Sequence, residues 1–80
     1  MAGAAVEVLV EFTSDDVSET QLTKGLPGKI YRIDGDGDAL IDFDGLSKRK
    51  WVFKGNFYNL MITFPGVGTI RATTLRSLLV

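Results

Sequence analysis

From Val6 to Phe64, apolar residues recur at every second position in short runs, and a polar stretch, a Gly, a Pro or an Asp-Gly pair follows each run. A period of two marks a strand with one buried face, and such frequent punctuation leaves no room for a long helix. Val6-Glu-Val-Leu-Val-Glu-Phe12 places Val6, Val8, Val10 and Phe12 on one face, with Glu7 and Glu11 on the other. Residues 13–28 are polar and end in Gly25, Pro27 and Gly28, which reads as a long connecting loop. Lys29–Ile33 and Ala39–Phe43 are strand-like runs separated by Asp34-Gly-Asp-Gly-Asp38, whose Asp-Gly pairs suit a tight hairpin. Trp51-Val-Phe-Lys54 is a further β-rich run, and Leu60, Ile62 and Phe64 alternate in a last strand stopped by Pro65-Gly66.

The expected architecture is all-β: a small, strongly bent, five-stranded barrel over residues 1–64 and an extension over residues 65–80. In the extension, Ile70, Leu75, Leu78 and Leu79 fit a helical turn over 71–79 about as well as a strand. Most of the aromatic residues, among them Phe43, Phe57 and Phe64, are expected to fill the core.

The composition limits the chemistry. The 80 residues include no His and no Cys, so zinc sites of the usual kind, thiol nucleophiles and histidine relays are excluded. A core of this size leaves little room for the deep cleft that a carboxylate pair needs in glycoside hydrolysis. A non-catalytic protein without a cofactor is expected. No run approaches the ~20 apolar residues of a membrane-spanning helix, and the apolar start meets Glu7 before it reaches signal-peptide length, so a soluble intracellular protein is the default expectation.

The net charge of −1 is unevenly distributed. Residues 1–45 hold ten acids and three basic residues, net −7, whereas residues 46–80 sum to +6. One outcome is pairing of opposite charges across strands; another is an acidic face and a basic face that steer different partners.

Two segments could carry a site. Asp34-Gly-Asp-Gly-Asp-Ala-Leu-Ile-Asp-Phe-Asp-Gly45 matches an EF-hand calcium loop at Asp34, Asp36, Asp38 and Asp42, but Ala39 stands where the turn wants Gly and Gly45 where a bidentate Glu closes the site. The acidic hairpin turn is the simpler expectation, with degenerate calcium binding as the remote alternative. Lys48-Arg-Lys50 beside Trp51 is a basic contact patch on a hairpin loop; three charges give only a modest term toward a nucleic acid, which is not the expected partner.

The run Gly28-Lys-Ile-Tyr-Arg-Ile-Asp-Gly-Asp-Gly-Asp-Ala-Leu-Ile-Asp-Phe43, followed by Trp51-Val-Phe53 and Asn56-Phe-Tyr-Asn-Leu60, resembles the SH3-like repeats of the Mind bomb ubiquitin ligases. The resemblance covers residues 28–60, and more loosely 6–64. It implies an SH3-like barrel that binds peptide segments of partner proteins and has no catalytic role; no ligase domain accompanies it. Signalling SH3 domains are less similar, since the Ala-Leu-Tyr-Asp-Tyr run is missing and Trp51 lies too close to Tyr58 for their proline-peptide groove. By fold analogy alone, the small subunit IV of photosystem I offers a docking role in a larger assembly.

The resulting expectation is a protein-interaction module whose groove uses Trp51 and Tyr58 as apolar anchors, with Tyr31 nearby. Asp15, Asp16, Asp36 and Asp38 would form acidic rims that select a basic peptide or protein segment. Association with a host complex or a second copy would run through residues 65–80.

Overall fold

The alternating runs do form strands; the computed structural model describes residues 4–64 and 68–71, and these make an all-β fold. The strands are β1 (Ala5–Val8), β2 (Phe12–Thr13), β3 (Gln21–Leu22), β4 (Pro27–Ile33), β5 (Ala39–Phe43), β6 (Lys50–Val52), β7 (Leu60–Phe64) and β8 (Gly68–Arg71). A 3-10 helix, Lys54–Asn59, lies between β6 and β7. Six strands make one antiparallel sheet in the order β6-β5-β4-β1-β7-β8, and β2 and β3 form a separate two-stranded ribbon. Eight described strands thus replace the five expected. No helix among the described residues is long and apolar enough to cross a membrane.

The first strand stops at Val8 instead of continuing to Phe12, and Val10 is 59% exposed instead of facing the core. Its partners explain why. β7 pairs with β1 only from Val8↔Leu60 onward, because the residues before Leu60 are wound into the 3-10 helix. A last bond, from the Leu9 amide to the Asn59 carbonyl at 2.7 Å, ends the pairing, and beyond it the alternation has no neighbour to act against.

The polar stretch after β1 is not a plain loop. Phe12↔Leu22 and Thr13↔Gln21 pair in the ribbon, and Leu22 is fully buried. Pro27 and Gly28, expected to punctuate, instead open β4; proline is tolerated there because it is the first residue of its strand. The run expected over Trp51–Lys54 ends at Val52, where the Asn56 amide bonds to the Phe53 carbonyl and starts the 3-10 helix.

β4 and β5 form the hairpin read from the Asp-Gly turn. Asp34 Oδ1 accepts the amides of Asp36 at 2.9 Å and Asp38 at 3.0 Å, and Gly37 takes the positive φ of 86° that the turn requires. Between Ile30 and Arg32 the register shifts by a bulge at Tyr31. The core is built from Val6, Val8, Leu22, Ile30, Ile41, Phe43, Val52, Phe57, Leu60 and Ile62. Phe43 and Phe57 fill it as expected; the side chain of Phe64 lies outside the described residues.

β8 joins the sheet beyond residue 64, so the backbone of 68–71 is strand. The helical alternative for the rest of 71–79, and association through the tail, fall outside the described residues.

Candidate functional site: a charged groove beside Trp51

The segment between β2 and β3 is fastened against β6 and the 3-10 helix, and this builds one wall of a groove. The Asp15 amide donates to the Trp51 carbonyl at 2.9 Å. The Asp15 carboxylate accepts the Phe53 amide at 2.8 Å and the Asn56 side-chain amide at 2.9 and 3.0 Å. Ser14 and Thr20 close the base of the segment, with the Thr20 amide donating to Ser14 Oγ and the Ser14 hydroxyl to Asp16 Oδ1. Lys50 points inward in register with Ile41; its Nζ donates to the Ser18 carbonyl at 2.9 Å and lies 3.6 Å from Asp16 Oδ2.

The acidic turn forms the opposite wall. The Lys54 amide donates to Asp38 Oδ1 and the Lys54 ammonium to the Asp36 carbonyl, each at 2.9 Å, so the turn is held against the start of the 3-10 helix. Between the walls lies an open groove of about 610 Å³, lined by both walls, by Lys48–Trp51 and by Phe53.

Of the residues expected to form a partner groove, Asp15, Asp16, Asp36, Asp38 and Trp51 line this one, and the separately expected basic patch Lys48, Arg49 and Lys50 lines it too. Tyr31 and Tyr58 do not; both are exposed elsewhere, and Tyr31 carries the Arg49 guanidinium 3.8 Å from its ring centre. The acidic residues also differ in availability. Asp15 and Asp16 spend their oxygens on Phe53, Asn56, Ser14 and Lys50 and so shape the wall, whereas Asp36 is exposed at the rim. Lys50, read as part of a solvated basic patch, is buried instead. The period of two explains this, because Trp51 faces out and its neighbour must face in.

Phe53 and Val17 were missed as groove residues. Phe53 is 46% exposed and Val17 fully so. Phe53 was grouped with a strand, and its exposure follows from the helix that begins right after it. An isolated Val17 within a polar run was the one available signal for the other.

Asp34, Asp36 and Asp38 bring carboxylate oxygens within 4.8 Å of one another. The segment carrying them joins two strands, not two helices, and Ala39–Phe43 is itself β5, so the EF-hand conformation is not adopted. Asp34 Oδ1 and Asp38 Oδ1 are already occupied by backbone amides.

Asp15→Ala is expected to cost about 2 kcal/mol, since it leaves the Phe53 amide without its acceptor and unties the wall from the 3-10 helix. Urea denaturation checks this; Asp15→Asn, which keeps one carbonyl acceptor, should fall between Asp15→Ala and the native chain.

Comparison with protein-family models, with curated proteins and with solved structures found no match to this chain.

Proposed function

We propose that this protein is a non-catalytic interaction module, an SH3-like barrel of the kind found in the Mind bomb repeats, that binds a peptide or protein segment in the groove beside Trp51. The barrel reading rests on the order β6-β5-β4-β1-β7, the long first loop folded back as a ribbon, and the 3-10 helix before β7. The observation that carries the function is convergence: the first loop, the acidic turn and the basic run, far apart in sequence, line one open groove with Trp51 and Phe53. Partly exposed aromatic carbon beside acidic rims suits a segment with an apolar residue over Trp51 and Phe53 and a basic residue toward Asp36 and Asp38.

Panning a random peptide library on the folded protein tests this. Selected peptides should be rich in Lys or Arg next to apolar residues, and should shift amide resonances of residues 15–18, 34–38 and 51–53. Trp51→Ala and Phe53→Ala should each weaken binding about tenfold or more, equivalent to about 1.4 kcal/mol, with the melting temperature little changed for the exposed Phe53. Full affinity in both variants, or shifts confined to another face, would overturn the groove assignment.

A further inference from the structure

The outer face of β4, β5 and β6 holds a second arrangement, which adjoins the groove and shares Lys48, Arg49 and Trp51 with it. The bulge at Tyr31 turns both Tyr31 and Arg32 outward, so two consecutive side chains of one strand are exposed on the same face. Arg32, Leu40 and Trp51 stand in register across the three strands. Each exposed guanidinium lies on a ring: Arg49 Cζ is 3.8 Å from the Tyr31 ring centre, and Arg32 Cζ is 5.4 Å from that of Trp51.

A stacked guanidinium keeps its N–H edge outward and gives up little further freedom when it meets an anion. Among the described residues the one salt bridge is Lys50–Asp16, and neither Arg32 nor Arg49 donates a hydrogen bond to the protein. Lys29 is exposed on the same face and Lys48 borders it; the acid on this face, Asp42, stands opposite Lys29 in register. Two oriented forks and two flanking ammonium groups, with Asp42 among them, thus border the half-buried Leu40.

We propose that this face is a docking surface for an acidic peptide segment of a partner protein. Arg32 and Arg49 would take side-chain carboxylates through their planar edges, and an apolar residue between them would rest on Leu40. Carboxylates fit better than a nucleic acid strand. Single-stranded binding relies on open aromatic faces for base stacking, and here the Arg49 guanidinium lies on the face of Tyr31. Asp42 would also repel a continuous phosphate backbone while leaving room for carboxylates at discrete points.

The test uses the full chain and three labelled probes of equal length: a peptide of Glu-Glu-Leu repeats, a peptide of Gln-Gln-Leu repeats and an oligothymidylate. The Glu peptide should bind saturably, weaken with added salt, and shift the side-chain Nε–H signals of Arg32 and Arg49. Arg32→Gln and Tyr31→Ala should each weaken it about fivefold, and Arg32→Lys nearly as much, since lysine keeps the charge but loses the fork. Circular dichroism of these surface variants confirms that they remain folded. Binding of the Glu peptide no tighter than the Gln peptide, undiminished binding by Arg32→Lys, or tighter binding of the oligothymidylate would each overturn the proposal.

Discussion

Gly28→Ala is expected to lower stability by about 3 kcal/mol, a large share of the ~4–12 kcal/mol available to a domain of 80 residues. Gly28 lies where three strands meet, opposite Val6 of β1 on one side and Phe43 of β5 on the other. A Cβ built there would sit 2.9 Å from the Asp42 carbonyl oxygen and 3.0 Å from both Cα and Cδ1 of Phe43. Two of those atoms are backbone of the paired strand, so relief requires β4 and β5 to separate, and the third belongs to a ring buried in the core. The melting temperature should fall by roughly 12–24 °C, at about 4–8 °C per kcal/mol for a domain of this size. Gly55→Ala is the matched control. It lies in the 3-10 helix without a positive φ and with nothing within 4 Å of an added Cβ, so it should gain about 0.4–1 kcal/mol. Similar melting temperatures for the two variants would show that close approach at Gly28 does not limit this sheet.

The contrast between these glycines marks what could be read from the chain. β5 was legible to its ends, because Ala39–Phe43 is paired with β4 over its whole length and with β6 over Ala39–Ile41, and pattern and pairing therefore agree. The turn before it was legible because Asp and Gly do local work there, through Asp34 Oδ1 and the φ of Gly37. Val10 was misjudged because alternation does not say where the partner strand stops, and a helix several dozen residues away decides that. Leu22 was hidden for the opposite reason: one apolar residue in a polar run has no period, and its burial depends on the ribbon folding back. At the groove, the acidic and basic runs singled out by residue type line one opening. Their division of labour was not legible. Whether a carboxylate faces solvent or spends its oxygens on a neighbouring amide depends on contacts such as Asp15 with Phe53 and Asn56, which are 38 and 41 residues away. Charge alone carries no record of them.

Lys50→Ala is expected to cost about 3 kcal/mol and to loosen the groove wall before the rest of the fold. Lys50 is only 6% exposed, with its stem directed inward beside Ile41 and its ammonium reaching the Ser18 carbonyl and Asp16. Alanine removes the packed stem, the hydrogen bond to Ser18 and the counter-ion of Asp16 together. Losing one partner of a buried pair costs about 3–5 kcal/mol; the lower end applies because the Asp16 side chain is 16% exposed and keeps the Ser14 hydroxyl as a donor. Lys50→Met separates the contributions: it restores the stem but not the charge, and should recover about 1 kcal/mol of the loss. A cycle with Asp16→Ala should give a coupling of about 1–2 kcal/mol with little dependence on salt, as expected of a pair shielded from solvent. Hydrogen exchange locates the damage. The amides of Ser14, Asp15 and Thr20, which fasten the first loop to itself and to Trp51, should lose protection in Lys50→Ala while those of β4 and β5 keep theirs. Peptides selected for the groove should then bind weakly even at temperatures where the sheet is intact, because one wall no longer holds its place. Additive effects in the cycle, or equal loss of protection throughout the sheet, would show that Lys50 supports the core as a whole and not this wall.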